Sequence, residues 1–355
     1  MSKYILISGN NVNKIQLYLV NQNKIYQKIL RTAFVTGASG HVGANLIRLL
    51  VKKNWNVRCL IHNDLRAFEG VEIEKVQGDL LDERFLYTAL KDCYAVFHAA
   101  VHIDIENIDV KVMKKVNVDG TKALTRAALK ANVKKFIHFS SIHAFEQTPT
   151  DTELDELRPL VSRTNAASYD LSKADSERVV QEAFNKGLKT VIINPTGILG
   201  PFDYKPSRMG QLISNISKKK MKFTLNTGFD WVDVRDVCEM AIQCVDQGKP
   251  GQSYILSGRW VSFKELSKIV GTVIKENTHW VSLPFWTAYL CLPFAFIISK
   301  ISGHRPLFSR GSLHALAVQP LKISNKKASK ELNYNPRSIE ITIKDTIKWN
   351  REYDN

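Results

Sequence analysis

Three glycines spaced three residues apart follow a short apolar run near the start of the chain. The run is TAFVT (32–36), and the glycines are Gly37, Gly40 and Gly43. A helix is predicted over 42–53, because leucines recur there at the spacing of one helix face. In a strand–turn–helix unit, glycines permit a tight turn and let backbone N–H groups approach an anion. We therefore predict that this stretch binds the pyrophosphate of a dinucleotide.

Short apolar runs alternate with amphipathic stretches over the next 150 residues. The runs are continuous in hydrophobicity rather than alternating, which is typical of a parallel sheet covered on both faces. We predict an α/β fold with a Rossmann-type doubly wound parallel sheet. The predicted strands are 57–61, 71–79, 94–100, 135–141 and 189–195, and the predicted helices are 84–90, 112–131 and 173–185.

After about residue 196 this regularity weakens, and loops such as GPFDYKPS (200–207) interrupt it. We predict an N-terminal extension (1–31), a dinucleotide-binding domain (32–195) that also carries the catalytic groups, and a smaller mixed substrate-binding lobe (196–355). Some strands or helices of the lobe are expected to return to the first domain.

The ends of the predicted strands supply further candidates for cofactor binding. The second strand ends in Ile61 and His62, so the position that often carries an acid for NAD is apolar and the next position is basic. This favours NADP(H), with Arg58 and Arg66 near enough to assist; NAD(H) remains the alternative if Asp64 reaches the ribose. The predicted cofactor-binding residues are Gly37, Ser39, Gly40, His41, Val42, Gly43, His62, Asp79, Leu80, Ala99, Ala100, Val101, Tyr169, Lys173, Pro195 and Gly197.

Two of these candidates have a structural alternative. Asp79 could accept a hydrogen bond from the adenine amino group or could simply close the turn after the third strand. His98, at the end of the fourth strand, is expected to be a packed or hydrogen-bonded histidine rather than a catalyst.

A tyrosine and a lysine lie four residues apart, at Tyr169 and Lys173, and hence on one face of a predicted helix. A phenol is a weak acid at neutral pH, and a nearby ammonium favours the phenolate. We expect Lys173 to lower the pKa of Tyr169 and to bind the nicotinamide ribose. Ser140 and Ser141 end the strand KFIHFSS, where a hydroxyl can donate to a substrate carbonyl.

With these residues in view, the chain resembles the extended short-chain dehydrogenase/reductases over about residues 32–350. The matching motifs are TGASGHVG (36–43), GDL (78–80), HAAV (98–101), NVDGT (117–121), FSS (139–141), YDLSK (169–173), NPTGILGP (194–201) and WVDVRDV (231–237).

The resemblance implies that Tyr169 is the general acid/base, Lys173 its partner and Ser141 the hydroxyl that orients the carbonyl. Asn117 would support the proton relay. Ser141 is chosen over Ser140 because family members usually have an aromatic residue four positions after the catalytic hydroxyl, and Phe145 has that place. The family also implies a homodimer formed by the helix that contains YDLSK and the one before it.

Within the family, the segment 194–207 looks like that of the dihydroflavonol 4-reductase and 3β-hydroxysteroid dehydrogenase branches. This implies hydride transfer between NADP(H) and a carbonyl or secondary alcohol of an apolar small molecule. One alternative is a nucleotide-sugar epimerase or dehydratase with tightly bound NAD, although such enzymes usually have asparagine where this chain has Gly197. The alternative of another class is a non-catalytic NADP-binding sensor or scaffold.

Composition limits the partners and the compartment. The net charge is +16, and much of it lies in residues 1–31 and 255–355. Either the lysines form a solvated surface or they attract an anionic surface. Residues 280–299 carry no charge, so this segment could form an apolar pocket wall, dip into a bilayer or span it; contact through 280–310 is the membrane prediction.

No nucleic-acid motif occurs in the chain, so we predict no nucleic-acid partner. Five cysteines without a CxxC pair predict neither disulfides nor a metal site. Residues 1–31 do not resemble a signal peptide. A cytoplasmic location, possibly peripheral at a membrane, is therefore expected.

Overall fold

The computed structural model describes residues 31–104, 108–162, 166–221, 223–276, 281–290, 292 and 309–354. All but one residue of the predicted N-terminal extension lies outside these ranges. So do nine of the twenty residues of the uncharged segment 280–299. None of the helices in the described ranges is long and apolar enough to cross a membrane.

A large parallel sheet and two small sheets contain the strands of the described residues. The strands are β1 (Thr32–Thr36), β2 (Asn56–Ile61), β3 (Glu74–Gln77), β4 (Ala95–His98), β5 (Lys135–Phe139), β6 (Thr190–Pro195), β7 (Gly197–Leu199), β8 (Phe223–Leu225), β9 (Gly228–Asp233), β10 (Gln252–Leu256), β11 (Arg259–Ser262) and β12 (Val281–Leu283).

The helices lie mainly between successive strands, as a doubly wound sheet requires. They are α1 (His41–Lys52), α2 (Glu83–Ala89), α3 (Val110–Lys114), α4 (Gly120–Lys130), α5 (Ser168–Asn185), α6 (Arg208–Ser217), α7 (Val234–Asp246), α8 (Phe263–Ile274), α9 (Arg310–Val318), α10 (Lys326–Leu332) and α11 (Ile339–Asp354).

The large sheet has seven strands in the order β3-β2-β1-β4-β5-β6-β10, and every neighbouring pair is parallel. Helices bury apolar side chains on both faces. Leu46 and Leu50 of α1 pack on one face, and Leu86 and Leu124 of α2 and α4 pack on the other. The predicted α/β fold with a parallel, doubly wound sheet is confirmed. The order reverses between β1 and β4, where such sheets bind ligands beyond their carboxyl ends.

The later part of the chain adds a mixed sheet and a helical cluster. Strand β9 pairs antiparallel with β11 and parallel with β7, while β10 joins the large sheet beside β6. Asp233, at the end of β9, is buried and accepts hydrogen bonds from Arg235 and from Thr342 of α11. Arg337 also pairs with this carboxylate. These contacts attach the last helix to the end of β9.

Several predicted elements have different bounds in the structure, and three of them are instructive. The strand expected over 71–79 spans only Glu74–Gln77, because the Val71 amide donates to Phe68 O in a turn instead of joining the sheet. The helix expected over 112–131 begins at Val110 and contains a π-helical turn, Lys115–Asp119. The helix expected from residue 173 begins five residues earlier, at Ser168.

Candidate active site

The glycine turn lies between β1 and α1. Gly37 has a positive φ of 69°, and a Cβ there would lie 2.5 Å from Ala100 N. A Cβ on Gly43 would lie 2.1 Å from Gly37 O, so α1 can approach the turn only with glycine at this position. Gly40 differs, because the nearest atom to an added Cβ is 3.3 Å away.

Gly40 is also the N-cap residue of α1, and no side chain caps this helix end. The first N–H groups of α1 therefore lack a helix partner beside an open backbone, which is the arrangement a pyrophosphate needs. The residues present fit a dinucleotide. The backbone of Ser39 and Val42 belongs to this turn. The His41 imidazole lies 3.2 and 3.1 Å from the carbonyl oxygens of Gly200 and Pro201 and so contacts the neighbouring loop.

The chain after β4 forms the next wall of the candidate cofactor site. Ala99 N donates to Thr36 O at 3.2 Å, and Ala100 N donates to the Thr36 hydroxyl at 3.3 Å. These bonds hold Ala99, Ala100 and the following Val101 against the end of β1. The wall therefore presents small side chains beside the glycine turn.

Asp79 follows β3 at the same edge of the sheet. Its Oδ1 accepts from Leu81 N at 3.0 Å, so the carboxylate takes part in its own turn, and the contact with adenine stays a prediction. Leu80 lies under Gly120, where a Cβ would be 2.7 Å from the leucine Cδ2.

The end of β2 is the candidate ribose corner. Strand β2 ends at Ile61, and His62 is exposed. Arg66 donates two hydrogen bonds to the Asp64 carboxylate, at 2.9 and 2.6 Å. These contacts lower the pKa of the Asp64 carboxyl. Arg58 does not assist here. Its guanidinium is bound to Glu74 at 2.7 Å and to carbonyl oxygens beyond α2, so the expectation for Arg58 was wrong.

The structure brings Ser141, Tyr169 and Lys173 together above the carboxyl end of β5. Ser141 begins a short 3₁₀ turn, where its hydroxyl accepts from His143 N at 3.3 Å, and its side chain acts to lower the pKa of the Tyr169 phenol. Tyr169 lies in the first turn of α5, and Lys173 follows one turn later. Lys173 is buried, and its Nζ donates to Phe139 O at 3.1 Å. Burial lowers the pKa of Lys173 to about 8, while Glu177 acts to raise it.

The pKa of Tyr169 departs from the expectation. Burial raises it, the Asp170 carboxylate raises it further, and only the hydrogen bond from Ser141 acts in the other direction. The expected lowering by Lys173 is wrong for this structure, because the ammonium is directed at the β5 carbonyl. The phenol therefore stays protonated at neutral pH.

Asn117 lies in the π-helical turn and connects three parts of the site. Its Oδ1 accepts from His102 N at 2.8 Å, and its Nδ2 donates to His102 O at 3.0 Å and to the Ser172 hydroxyl at 3.1 Å. The residue thus holds the loop after β4 against α5. π-Turns often occur at functional sites. The backbone carbonyl oxygen of Asn117 accepts from the Thr121 hydroxyl at 2.6 Å.

His98 is buried, as expected of a packed histidine. Its Nδ1 lies 2.7 Å from the Thr36 hydroxyl and its Nε2 lies 2.9 Å from the Thr121 hydroxyl. Burial, followed by the nearby Lys173 charge, lowers the pKa of His98 to about 3. The ring is therefore neutral at physiological pH.

The structure also reveals polar residues that the sequence patterns did not single out. Glu177 is buried one turn after Lys173, and its Oε1 accepts from Asn194 Nδ2 at 2.6 Å. The spacing of four from Lys173 was the available signal, since it places both residues on one helix face. The His143 ring lies beside that of Tyr169, with centroids 6.0 Å apart, and its Nδ1 is 3.3 Å from Asp170 Oδ1.

Pro195 ends β6, and Gly197 begins β7. A Cβ on Gly197 would lie 2.6 Å from the Phe229 ring and 3.0 Å from Asp230 O. Glycine is therefore required here by the close approach of β9. Among the described residues, no cluster of three or more His, Cys, Asp or Glu side chains could hold a metal ion.

Comparison with known proteins agrees with this geometry. Residues 33–257 match the model of the NAD dependent epimerase/dehydratase family. The chain is 29% identical to sterol demethylase protein B of Methylococcus capsulatus, over 90% of this chain and 98% of that protein. It is 30% identical to a Synechocystis protein named only provisionally as a dihydroflavonol 4-reductase, over 89% and 93% of the two chains.

A solved structure, that of gox2253, superposes with a TM-score of 0.78 at 32% identity and covers 91% of this chain and 98% of that one. The chain therefore belongs to the NAD dependent epimerase/dehydratase family, within the extended short-chain dehydrogenase/reductases, and is an NAD(P)-dependent oxidoreductase.

Proposed function

We propose that this protein reduces a carbonyl of an apolar small molecule with NADPH, or oxidises the corresponding secondary alcohol with NADP⁺. The observation that supports this most directly is the grouping of Ser141, Tyr169 and Lys173 at the same carboxyl edge of the parallel sheet as the glycine turn. NADPH, when bound, supplies the hydride to the carbonyl carbon. The substrate oxygen takes its proton from Tyr169, so the reaction balances as ketone plus NADPH plus a proton to alcohol plus NADP⁺.

The protonation states of the site suit the reductive direction. Because burial raises the pKa of Tyr169, its phenol holds the proton that the forming alkoxide needs. Ser141 donates to the same substrate oxygen and orients the carbonyl. Lys173 supplies a positive charge one helical turn after Tyr169, where it supports proton transfer from the phenol, and Asn117 fixes the helix that carries both residues.

Replacing Tyr169 by Phe tests this role and separates an enzyme from a sensor or scaffold. Turnover of a reducible ketone should fall by roughly three orders of magnitude, because the proton donor is lost. NADPH affinity, measured by nicotinamide fluorescence, should change little. Retention of most activity would show that Tyr169 is not the acid. Binding of NADPH by a wild-type protein that turns over no carbonyl would favour the sensor.

NADP(H) is proposed over NAD(H) from the ribose corner. Ile61 offers no carboxylate to a ribose hydroxyl, and Arg66 already engages the Asp64 carboxylate. His62 is exposed two residues before Asp64, so a 2′-phosphate would meet the Arg66 guanidinium and the His62 ring. Parallel titrations with NADPH and NADH test the preference. Tighter binding of NADH would favour an NAD enzyme.

An apolar substrate is proposed over a sugar nucleotide. Gly197 has no space for the asparagine side chain that the nucleotide-sugar enzymes usually carry, because Phe229 and Asp230 approach its backbone. A full-length relative is named for sterol demethylation. A panel of sterol ketones, aromatic ketones and UDP-sugars separates the two classes. Net NADPH consumption with ketones is expected, whereas conversion of a sugar nucleotide without net consumption would favour an epimerase.

Contact with an anionic membrane surface is proposed from an exposed apolar patch. Trp286 and Leu290 are 63% and 65% exposed, and Phe223 and Val281 are exposed on neighbouring strands. Three lysines, 218–220, precede this patch. The double variant Trp286→Ser, Leu290→Ser should sediment less with anionic vesicles, whereas Leu321→Ser, exposed to 63% elsewhere, should not differ from wild type. Equal sedimentation of all three would remove the proposal.

A homodimer is proposed from the family resemblance, formed through α4 and α5. Light scattering after size exclusion tests it, and a mass near 40.3 kDa would show a monomer.

A further inference from the structure

A second buried charge lies below the catalytic lysine. Glu177 follows Lys173 by one turn of α5, and both residues are at least 95% buried. Asn194 Nδ2 donates to the Glu177 carboxylate at 2.6 Å and also to Ser141 O at 3.1 Å. The carboxylate is thus tied, through one amide, to the strand end that carries the catalytic hydroxyl. Burying an unpaired carboxylate is costly, so a nearby positive charge would favour the ionised form of Glu177.

The surroundings identify Lys173 as that charge. Burial raises the pKa of Glu177 to about 7, while Ser140, Asn194, Lys173 and Arg178 all favour its charged form. Reciprocally, Glu177 favours the Lys173 ammonium against burial. The Lys173 Nζ hydrogen-bonds Phe139 O, so the two charges interact through space.

The other titratable groups that face Lys173 are neutral or carry no opposing charge. His98 of β4 and His138 of β5 lie with their ring centroids 5.3 Å apart. Burial lowers the pKa of both, and the Lys173 charge contributes to the lowering. Tyr169 stays protonated, as argued above. Glu177 is therefore the acid in these surroundings whose charge can hold the lysine proton.

We infer that Glu177 is a positioning residue, whose buried carboxylate keeps Lys173 charged one helical turn from Tyr169 and, through Asn194, holds the chain at Ser141. The inference rests on the proposed function, in which a charged Lys173 supports proton transfer by Tyr169. No contact between Glu177 and substrate is required, since the carboxylate acts through the lysine.

The test measures the titration of Lys173 directly. Lysine labelled with ¹³C at Cε is followed by NMR as pH rises, and the Lys173 signal is assigned by its loss in Lys173→Arg. In Glu177→Gln the Lys173 midpoint should fall by about one pH unit or more, because a favourable buried charge is removed. Glu182→Gln is the matched control: it removes the same charge from an exposed position of α5 and should leave the midpoint unchanged. An unchanged midpoint in Glu177→Gln would overturn the inference.

A reciprocal measurement covers the case in which Glu177→Gln does not fold. Coupling between two titrating groups is mutual, so Lys173→Met should raise the midpoint of Glu177, followed with ¹³Cδ-labelled glutamate. An unchanged Glu177 midpoint would equally overturn the inference.

Neither titration requires turnover, so the two failures can be told apart. An active Tyr169→Phe variant would refute the proposed catalytic role even with coupled midpoints. Uncoupled midpoints together with an inactive Tyr169→Phe variant would refute only the role of Glu177. If the role of Tyr169 and the role of Glu177 are both confirmed, the alkaline limb of the reductase pH profile should move to lower pH in Glu177→Gln. It should stay in place in Glu182→Gln.

Discussion

Replacing Gly40 and Gly43 separately by alanine should impair different properties, NADPH binding at Gly40 and stability at Gly43, although the two residues are three apart in one motif. At Gly43 the added methyl would lie 2.1 Å from Gly37 O and 2.5 Å from Ala38 Cα, both backbone atoms. The turn must move, and overpacking of this kind costs about 1–3 kcal/mol. At Gly40 the nearest atom, Gly37 O, is 3.3 Å away, so a shift of a few tenths of an ångström accommodates the methyl.

At Gly40 the alanine substitution should mainly lower the affinity for NADPH. Its backbone has φ of −80°, which alanine adopts, and the expected loss of stability is that of a poorer N-cap, below about 1 kcal/mol. The methyl would, however, occupy the space through which a pyrophosphate approaches α1. We expect NADPH affinity to fall at least tenfold, which corresponds to about 1.4 kcal/mol.

Thermal unfolding without cofactor and NADPH fluorescence titration, performed on both variants, separate the two effects. Gly187→Ala is the control, since Gly187 has a φ of 101° and no neighbour within 4 Å of an added Cβ. That variant should lose stability through backbone strain and keep NADPH affinity. The reasoning is refuted if Gly40→Ala binds NADPH as wild type does, or if it unfolds at as low a temperature as Gly43→Ala.

Three further outcomes are expected. Arg66→Ala should reduce the preference for NADPH over NADH, measured as the ratio of the two dissociation constants, because it removes a cation beside His62. Alcohol oxidation by wild type should accelerate as pH rises above neutral, since the raised pKa of Tyr169 leaves little phenolate to accept a proton; a rate independent of pH would contradict this. Asp233→Asn should destabilise the fold at pH 7 and progressively less below about pH 4, as followed by denaturant unfolding.

The sign of the Asp233 effect follows from its contacts. Burial alone would raise the pKa of this carboxyl, but hydrogen bonds from Arg235 and Thr342 together with the Arg235 charge lower it. A carboxyl with a lowered pKa stabilises the folded state above its unfolded pKa of about 3.9, and the contribution is lost as pH falls through the folded pKa. The variant has no such contribution to lose.

The parts of the fold that follow local rules were predictable from the sequence. The turn after β1 could be placed because strand, glycine spacing and helix are consecutive, and the apolar β-strands indicated a parallel sheet. The ends of elements were less predictable. Val71 and Ile73 have strand-like chemistry but pack beside the core from a turn. The π-turn at Asn117 depends on contacts with His102 and Ser172 from other segments, which no local pattern records.

The site shows the same division. Tyr169 and Lys173 were recognisable by their spacing. The spacing did not show, however, whether Lys173 lowers the pKa of Tyr169. The ammonium donates to Phe139 O on β5, a contact set by tertiary packing. Glu177 lies on the same helix face as Lys173, but a charged residue in a helix ordinarily indicates a solvated surface. Only the position of Asn194 on β6 shows why this one is buried.

These contrasts explain why the cofactor half of the site is easier to infer than the substrate half. The glycine turn and the Ala99–Ala100 wall act through backbone N–H groups and the absence of side chains, so their requirements are visible as residue types at fixed spacing. Substrate choice depends instead on side chains from separate elements, such as the Phe229 ring that excludes a larger residue at Gly197. Backbone recognition can therefore persist while the neighbouring side chains change, and a dinucleotide site of this kind can serve sterol, flavonoid and sugar chemistry alike. We therefore expect the residues that decide the substrate to lie where β7 and β9 meet, and not in the glycine motif.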